Sequence, residues 1–186
     1  CGNIVLRCSP LKRALNSRGV MRAFRNVSKG LQGSLKSLYS ALDNKTNESI
    51  EDWQCVAITV FDHWLTREEF EQYFTNRSLD QQADIDLRWH LFYRFLAKDV
   101  TCYQYKYRSV SRLIFKEPRN SSLFVRRLSR FSVTDADALQ LIIPEYRAVF
   151  VQGYDDTCSL YFKCRESVKP LLHEIRNLGM YTLERI

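Results

Sequence analysis

Apolar residues in the first hundred positions recur at helical spacing, whereas those after residue 100 tend to alternate. Between 18 and 42, Val20, Phe24, Val27, Leu31, Leu35, Leu38 and Leu42 fall three or four apart, and Arg18, Arg22, Arg25, Lys29 and Lys36 repeat two positions out of step. Two positions correspond to about 200° around a helix, so the pattern predicts one amphipathic helix with an apolar face and a cationic one. Gly30 and Gly33 cost such a helix about 1 kcal/mol each relative to alanine, so docking of the apolar stripe has to hold it together. Over 48–65, Ile50, Trp53, Ala57, Val60 and Trp64 keep the helical spacing; the β-branched run inside also suits a strand, but it does not alternate, and helix is preferred. Thr66-Arg67-Glu68-Glu69 is a capping box that starts a helix to about Thr75. Ile85, Trp89, Phe92 and Leu96 mark another over 80–98. Upstream, Asn3 to Cys8 reads as a short strand, and Ser9-Pro10 as the start of a short helix to Asn16.

Val100 to Arg108 alternates, which predicts a strand with Tyr103, Tyr105 and Tyr107 on one face, and Ser111 to Lys116 can pair with it as a hairpin. Residues 123–131 fit helix or strand equally. Thr134 looks like the cap of a short helix to about Ile142. Tyr146 to Gln152 and Thr157 to Cys164 read as strands joined at Gly153-Tyr154-Asp155-Asp156, followed by a helix over 166–178, Gly179 as its left-handed terminator and a strand from Met180 to Leu183. The expected fold is α+β: a helical N-terminal half of about four helices, packed with a C-terminal antiparallel sheet containing a β-β-α-β unit. The expected division is a helical subdomain at 1–99 and an α+β subdomain at 100–186, within one compact domain.

Composition supports a packed core. The chain has 186 residues, 45% hydrophobic and 13% aromatic, and no apolar run reaches the roughly 18 residues of a membrane span. Its opening, Cys1-Gly2-Asn3, reads as a processed product or a fragment. The net charge of +7 is uneven: residues 1–42, 43–99, 101–130 and 131–186 carry +8, −6, +7 and −2. Two basic blocks flanking an acidic one either neutralise it in the fold or meet on one surface, where they would attract polyanions. Six cysteines show no C-x-x-C pair and no histidine partner at zinc spacing; Cys55, Cys158 and Cys164 read as small core residues in a reducing compartment, and the expected location is cytoplasmic. Five of the eight asparagines, Asn26, Asn44, Asn47, Asn76 and Asn120, head N-x-S/T sequons, which keeps secretion as the minority reading.

Catalytic signals are weak. His63, beside Asp62 and a turn away from Glu68 and Glu69, is the one neighbourhood suited to a general base, with an exposed acidic helix face as the plainer alternative. His90 and His173 read as helix-flank residues. Asp155-Asp156 offers carboxylates for a metal, yet turns favour Asp for local hydrogen bonding. Gly30-Leu31-Gln32-Gly33 lacks the Lys and hydroxyl of a phosphate loop, and no Ser or Cys sits in a nucleophile elbow. No cofactor and no metal are expected.

What remains is a ladder of rings and cations. Tyr103, Tyr105 and Tyr107 offer stacking faces, and Lys106, Arg108, Arg112 and Lys116 offer phosphate contacts that Arg126, Arg127 and Arg130 can extend. With Arg18, Arg22, Arg25, Lys29 and Lys36 they form the expected anion-binding set. The leading expectation is a non-catalytic binding module for an anionic partner, nucleic acid first. A module such as a small cytosolic inhibitor or immunity-type protein, recognising one cognate protein through the acidic 43–99 region and exposed tyrosines, follows closely, and an enzyme whose site is assembled only in three dimensions comes last.

Overall fold

The computed structural model describes residues 22–43, 49–108, 112–128, 138–153 and 155–184. In chain order they form β1 (Phe24–Asn26), α1 (Lys29–Leu38), β2 (Gln54–Thr59), α2 (Arg67–Thr75), α3 (Leu79–Lys98), β3 (Tyr103–Tyr107), β4 (Leu113–Pro118), α4 (Ser121–Leu128), β5 (Gln140–Ile143), β6 (Ala148–Val151), β7 (Thr157–Phe162), α5 (Arg165–Asn177) and β8 (Tyr181–Glu184). All eight strands join one antiparallel sheet in the order β1-β4-β3-β5-β6-β7-β2-β8.

This arrangement overturns the expected segregation of an N-terminal helical half from a C-terminal sheet. Helices and strands are mixed along the chain. β1 and β2 come from the first hundred residues, while α4 and α5 come from the second half. β2 is inserted between β7 and β8, so the last strand completes the sheet by pairing with residues 56–59 rather than with its own hairpin.

The helix expected over 48–65 is instead a 3-10 turn at Ile50–Asp52 followed by β2. Its spacing misled because β2 is central: Val56, Ala57, Ile58 and Thr59 are all buried, and a strand covered on both faces loses its alternation. The helix expected over 18–42 is also broken. Ser28 caps α1, its hydroxyl accepting from the Leu31 amide, and Phe24 to Asn26 pair with the edge of β4. The stretch from Thr134 to Ile142 falls partly outside the described residues; its end, Gln140 to Ile142, is strand β5. The strand at 3–8 and the helix at 11–16 lie outside them.

α3, α4 and α5 cover one face of the sheet. Trp89, Phe92 and Leu96 of α3, Phe124 and Leu128 of α4, and Val168, Leu171 and Ile175 of α5 pack with Val56, Ile58, Phe150, Leu160 and Phe162. The opposite face is covered by Leu35 and Tyr39, with Ala41, Leu42 and Trp53, over Tyr105, Phe115, Ile142 and Val149. Each large side chain buried in this way stabilises the fold by about 1.5–3 kcal/mol. Gly179 has φ +80° after α5, a conformation in which a Cβ is strained. A Cβ on Gly153 would stand 1.8 Å from the Thr157 carbonyl, so the β6–β7 turn requires glycine there.

Candidate nucleic-acid interface

At one edge of the sheet β1 stops at Asn26, while its partner β4 extends back to Leu113. The Gln32 side chain of α1 replaces the missing strand. Its Nε2 donates to the Leu113 carbonyl at 3.3 Å, and its Oε1 accepts from the Phe115 amide at 2.9 Å. These bonds hold the first turn of α1, with Lys29, beside the β3–β4 hairpin. Register places Lys106 opposite Ile114, and Lys116 between Asn26 and Gln104, so these side chains share one face at the sheet corner. The Arg108 amide donates to the Arg112 carbonyl at 2.8 Å and draws the hairpin end together.

The result is a groove of about 650 Å³ whose charged lining, among the described residues, is Arg22, Lys29, Lys106, Arg108, Arg112 and Lys116, with no Asp or Glu. Arg22, Lys29, Arg108, Arg112 and Lys116 make no ion pair with a described carboxylate. Cations from three segments separated by up to 94 positions in the chain therefore meet around one concavity. A concave wall of one charge focuses field and raises the local concentration of anions.

Other members of the expected set stand elsewhere. Arg25 is held by Glu117 at 2.7 Å and Lys36 by Asp43 at 3.0 Å. Arg126 lines a separate cleft between α3 and α4, and Arg127 is half-buried on the same helix. Arg18 and Arg130 lie outside the described residues. The stacking face needs correction as well. Tyr105 is 5% exposed, Tyr103 is half-buried, and both pack toward α1 in the core. Tyr107 reaches the groove at 43% exposure, with its hydroxyl donating to the Leu42 carbonyl. Asn26 and Gln32 line the groove and were missed, because neither carries a charge that would single it out. The cleft formed by Arg94, Lys98 and Arg126 was missed too, although the four-residue interval between Arg94 and Lys98 on a helix was a usable signal.

The catalytic candidates are held in structural contacts. Nδ1 of His63 lies 2.6 Å from Asp62 and Nε2 lies 3.4 Å from Glu69, and the hydrogen bond to Asp62, followed by that to Glu69, raises the imidazole pKa. A ring clamped between two carboxylates favours its charged form and is a poor general base. Asp155 joins His63 in lining a small pocket of about 90 Å³, and burial raises its pKa. Asp156, at φ +55°, is instead paired with Arg77 at 2.9 Å, and the Arg77 guanidinium lies 3.9 Å over the Tyr73 ring. His90 lines the α3–α4 cleft, and His173 is exposed on α5. Among the described residues no three His, Cys, Asp or Glu side chains are grouped to hold a metal.

Cys158 is buried, as expected of a core thiol, but Cys164 is exposed at the start of α5, where the Ser167 and Glu166 amides lower its pKa. No helix among the described residues is long and apolar enough to cross a membrane. Comparison of the chain with family models, curated proteins and solved structures finds no match.

Proposed function

We propose that this chain is a non-catalytic binding module for a polyanion, nucleic acid above all, and that the groove between α1 and the β3–β4 hairpin is its binding surface. The observation that carries the reading is the convergence of six cations, from both basic blocks, on a concavity that no carboxylate lines among the described residues. Phosphates entering it release condensed counterions, so affinity falls steeply as salt rises. The anion-binding set of this proposal is Arg22, Lys29, Lys106, Arg108, Arg112 and Lys116; Arg25 and Lys36, held by Glu117 and Asp43, stand outside it.

The cytoplasmic location belongs to the same proposal. Cys102 is buried, with its thiol pKa pushed up to about 12 by desolvation, which suits a structural thiol in a reducing compartment. Asn26 lines the groove, where a glycan would obstruct it, and the Asn120 Oδ1 accepts from the Leu123 amide at the start of α4.

Anisotropy titration of a labelled oligonucleotide against salt tests the reading. Charge reversal of Lys29, Arg108 and Arg112 together is expected to abolish binding at 150 mM salt while leaving the melting curve unchanged, since all three are exposed. Binding that survives the triple variant removes the reading. The cognate-protein alternative has one observation of its own: Trp64, Phe70 and Phe74 stand exposed beside Glu68, Glu69 and Glu71. A salt-tolerant protein complex lost in Phe70→Ser but kept in the triple variant would favour it.

A further inference from the structure

A pocket of about 90 Å³ lies at the opposite edge of the sheet from the groove, lined by Phe61, His63, Trp64 and Phe70, with Asp155 among them. It has room for more than one water-sized group. β2 and the loop after it, α2, the β6–β7 turn and β8 all contribute residues. Each ring has a partner that fixes it. Phe61 meets Tyr73 edge to face with centroids 4.6 Å apart, Phe70 meets Phe74 at 4.5 Å, and Trp64 Nε1 donates to the Glu184 carbonyl at 2.9 Å. Trp64 and Phe70 nevertheless remain 42% exposed, so both are open to a ligand.

The charge of this pocket is unbalanced. Of the two adjacent carboxylates in the β6–β7 turn, Asp156 is taken by Arg77 at 2.9 Å, whereas Asp155 pairs with no described cation. Among the described residues the lining contains no Lys or Arg. His63, when protonated, is met by Asp62 on one side and Glu69 on the other, so it adds no net positive charge. Burial penalises the Asp155 charge and raises its pKa, a cost that a cation arriving beside it relieves.

The side-chain donors of the lining are already spent. Thr59 donates to the Asp156 carbonyl at 2.9 Å, Thr157 to the Thr59 hydroxyl at 3.3 Å, Trp64 to Glu184, and both His63 nitrogens face carboxylates. An anion therefore finds no side chain to donate to it. What the pocket offers is aromatic carbon and one unpaired carboxylate. An ammonium whose hydrogens are replaced by methyl groups suits both, because it keeps its charge, needs no hydrogen bonds and is attracted to aromatic rings.

From this we infer that the pocket binds a methylated ammonium group, held by the rings of Phe61, Trp64 and Phe70 and by the Asp155 carboxylate. The site is separate from the polyanion groove and does not depend on it. Glu68 and Glu69, in the first turn of α2, add negative field that draws a cation toward it.

The test is proton NMR titration of the full chain with choline, with a short peptide carrying trimethyllysine, and with the carbon analogue of choline in which tert-butyl replaces trimethylammonium. Choline and the peptide are expected to bind, and the uncharged analogue to bind about tenfold more weakly than choline. Asp155→Asn, which keeps the shape, and Phe70→Leu, which keeps apolar surface at an exposed position but removes the ring, are each expected to weaken choline by about tenfold. Circular dichroism melts confirm that the variants are folded. Tighter binding of the peptide than of choline assigns the cation to a protein tail, and the reverse order to a choline-type headgroup. Equal binding of choline and its carbon analogue, unchanged affinity in either folded variant, or no binding of either trimethylammonium probe overturns the inference.

Discussion

At the β1–β4 edge of the sheet, cations line a groove that contains no acid among the described residues, whereas at the β2–β8 edge cations are matched to carboxylates. Arg165 meets Glu184 at 2.6 Å, Arg77 meets Asp156 at 2.9 Å, and His63 lies between Asp62 and Glu69. The first region comes from stretches of the chain almost without acids, and the second from stretches where both signs are interspersed. The comparison teaches that net charge in a segment does not decide whether it presents a field. What decides is whether the topology brings opposite charges within reach. Arg25 makes the point inside the basic block itself, since the β1–β4 register puts it opposite Glu117 and takes it out of the groove.

The sharpest way to break this comparison is to remove a charge from each region. Arg77→Ala leaves Asp156 largely buried without its partner and is expected to cost about 3–5 kcal/mol, read by urea unfolding. Arg112→Gln, in the groove, is expected to change stability by less than about 0.5 kcal/mol. Equal costs for the two would mean that the matched region is not structurally distinct from the open one. Next in size is Gln32→Ala, which strips the Phe115 amide and the Leu113 carbonyl of their partner. The same unfolding assay is expected to show a loss of about 1–3 kcal/mol, and polyanion affinity should fall with it as Lys29 loses its fixed position.

The smallest effect lies at His63. Its folded pKa is raised above the ordinary 6.5, so the stabilisation it provides is complete below that value and disappears as pH rises through the folded pKa. Asp62 and Glu69 have lowered pKa values and act in the other direction: their contribution is present above their unfolded pKa and is lost as pH falls through the folded one. An NMR titration should find the His63 imidazole titrating above 6.5, and Asp62→Asn should bring it back toward that value. A histidine that titrates at its ordinary position in both forms would show that the clamp does not hold in solution.

The parts of this fold legible in the sequence are those with a local cause. Thr66 caps α2 through a reciprocal bond with Glu69, and Gly179 takes the left-handed conformation that ends α5. β3 and β4 alternate because one face of each is covered by α1. What escaped had a distant cause. β2 lacks alternation because strands and helices far along the chain bury both of its faces, and β1 is a strand only because the β4 edge is there to pair with. At the site, the cations were legible as two blocks in the sequence, but their meeting depends on Gln32 bonding to the edge of a strand 81 residues away.

The seating of β2 also constrains how the chain is made. Thr59 pairs with Thr157 on one side and Tyr181 on the other. A ribosome therefore releases Val56, Ala57 and Ile58 about a hundred residues before either neighbour exists, and those apolar residues must wait unpaired. Production of this protein should consequently be limited by aggregation of unfinished chains, and slower translation or a holdase chaperone should raise the soluble yield more than lower temperature after synthesis does.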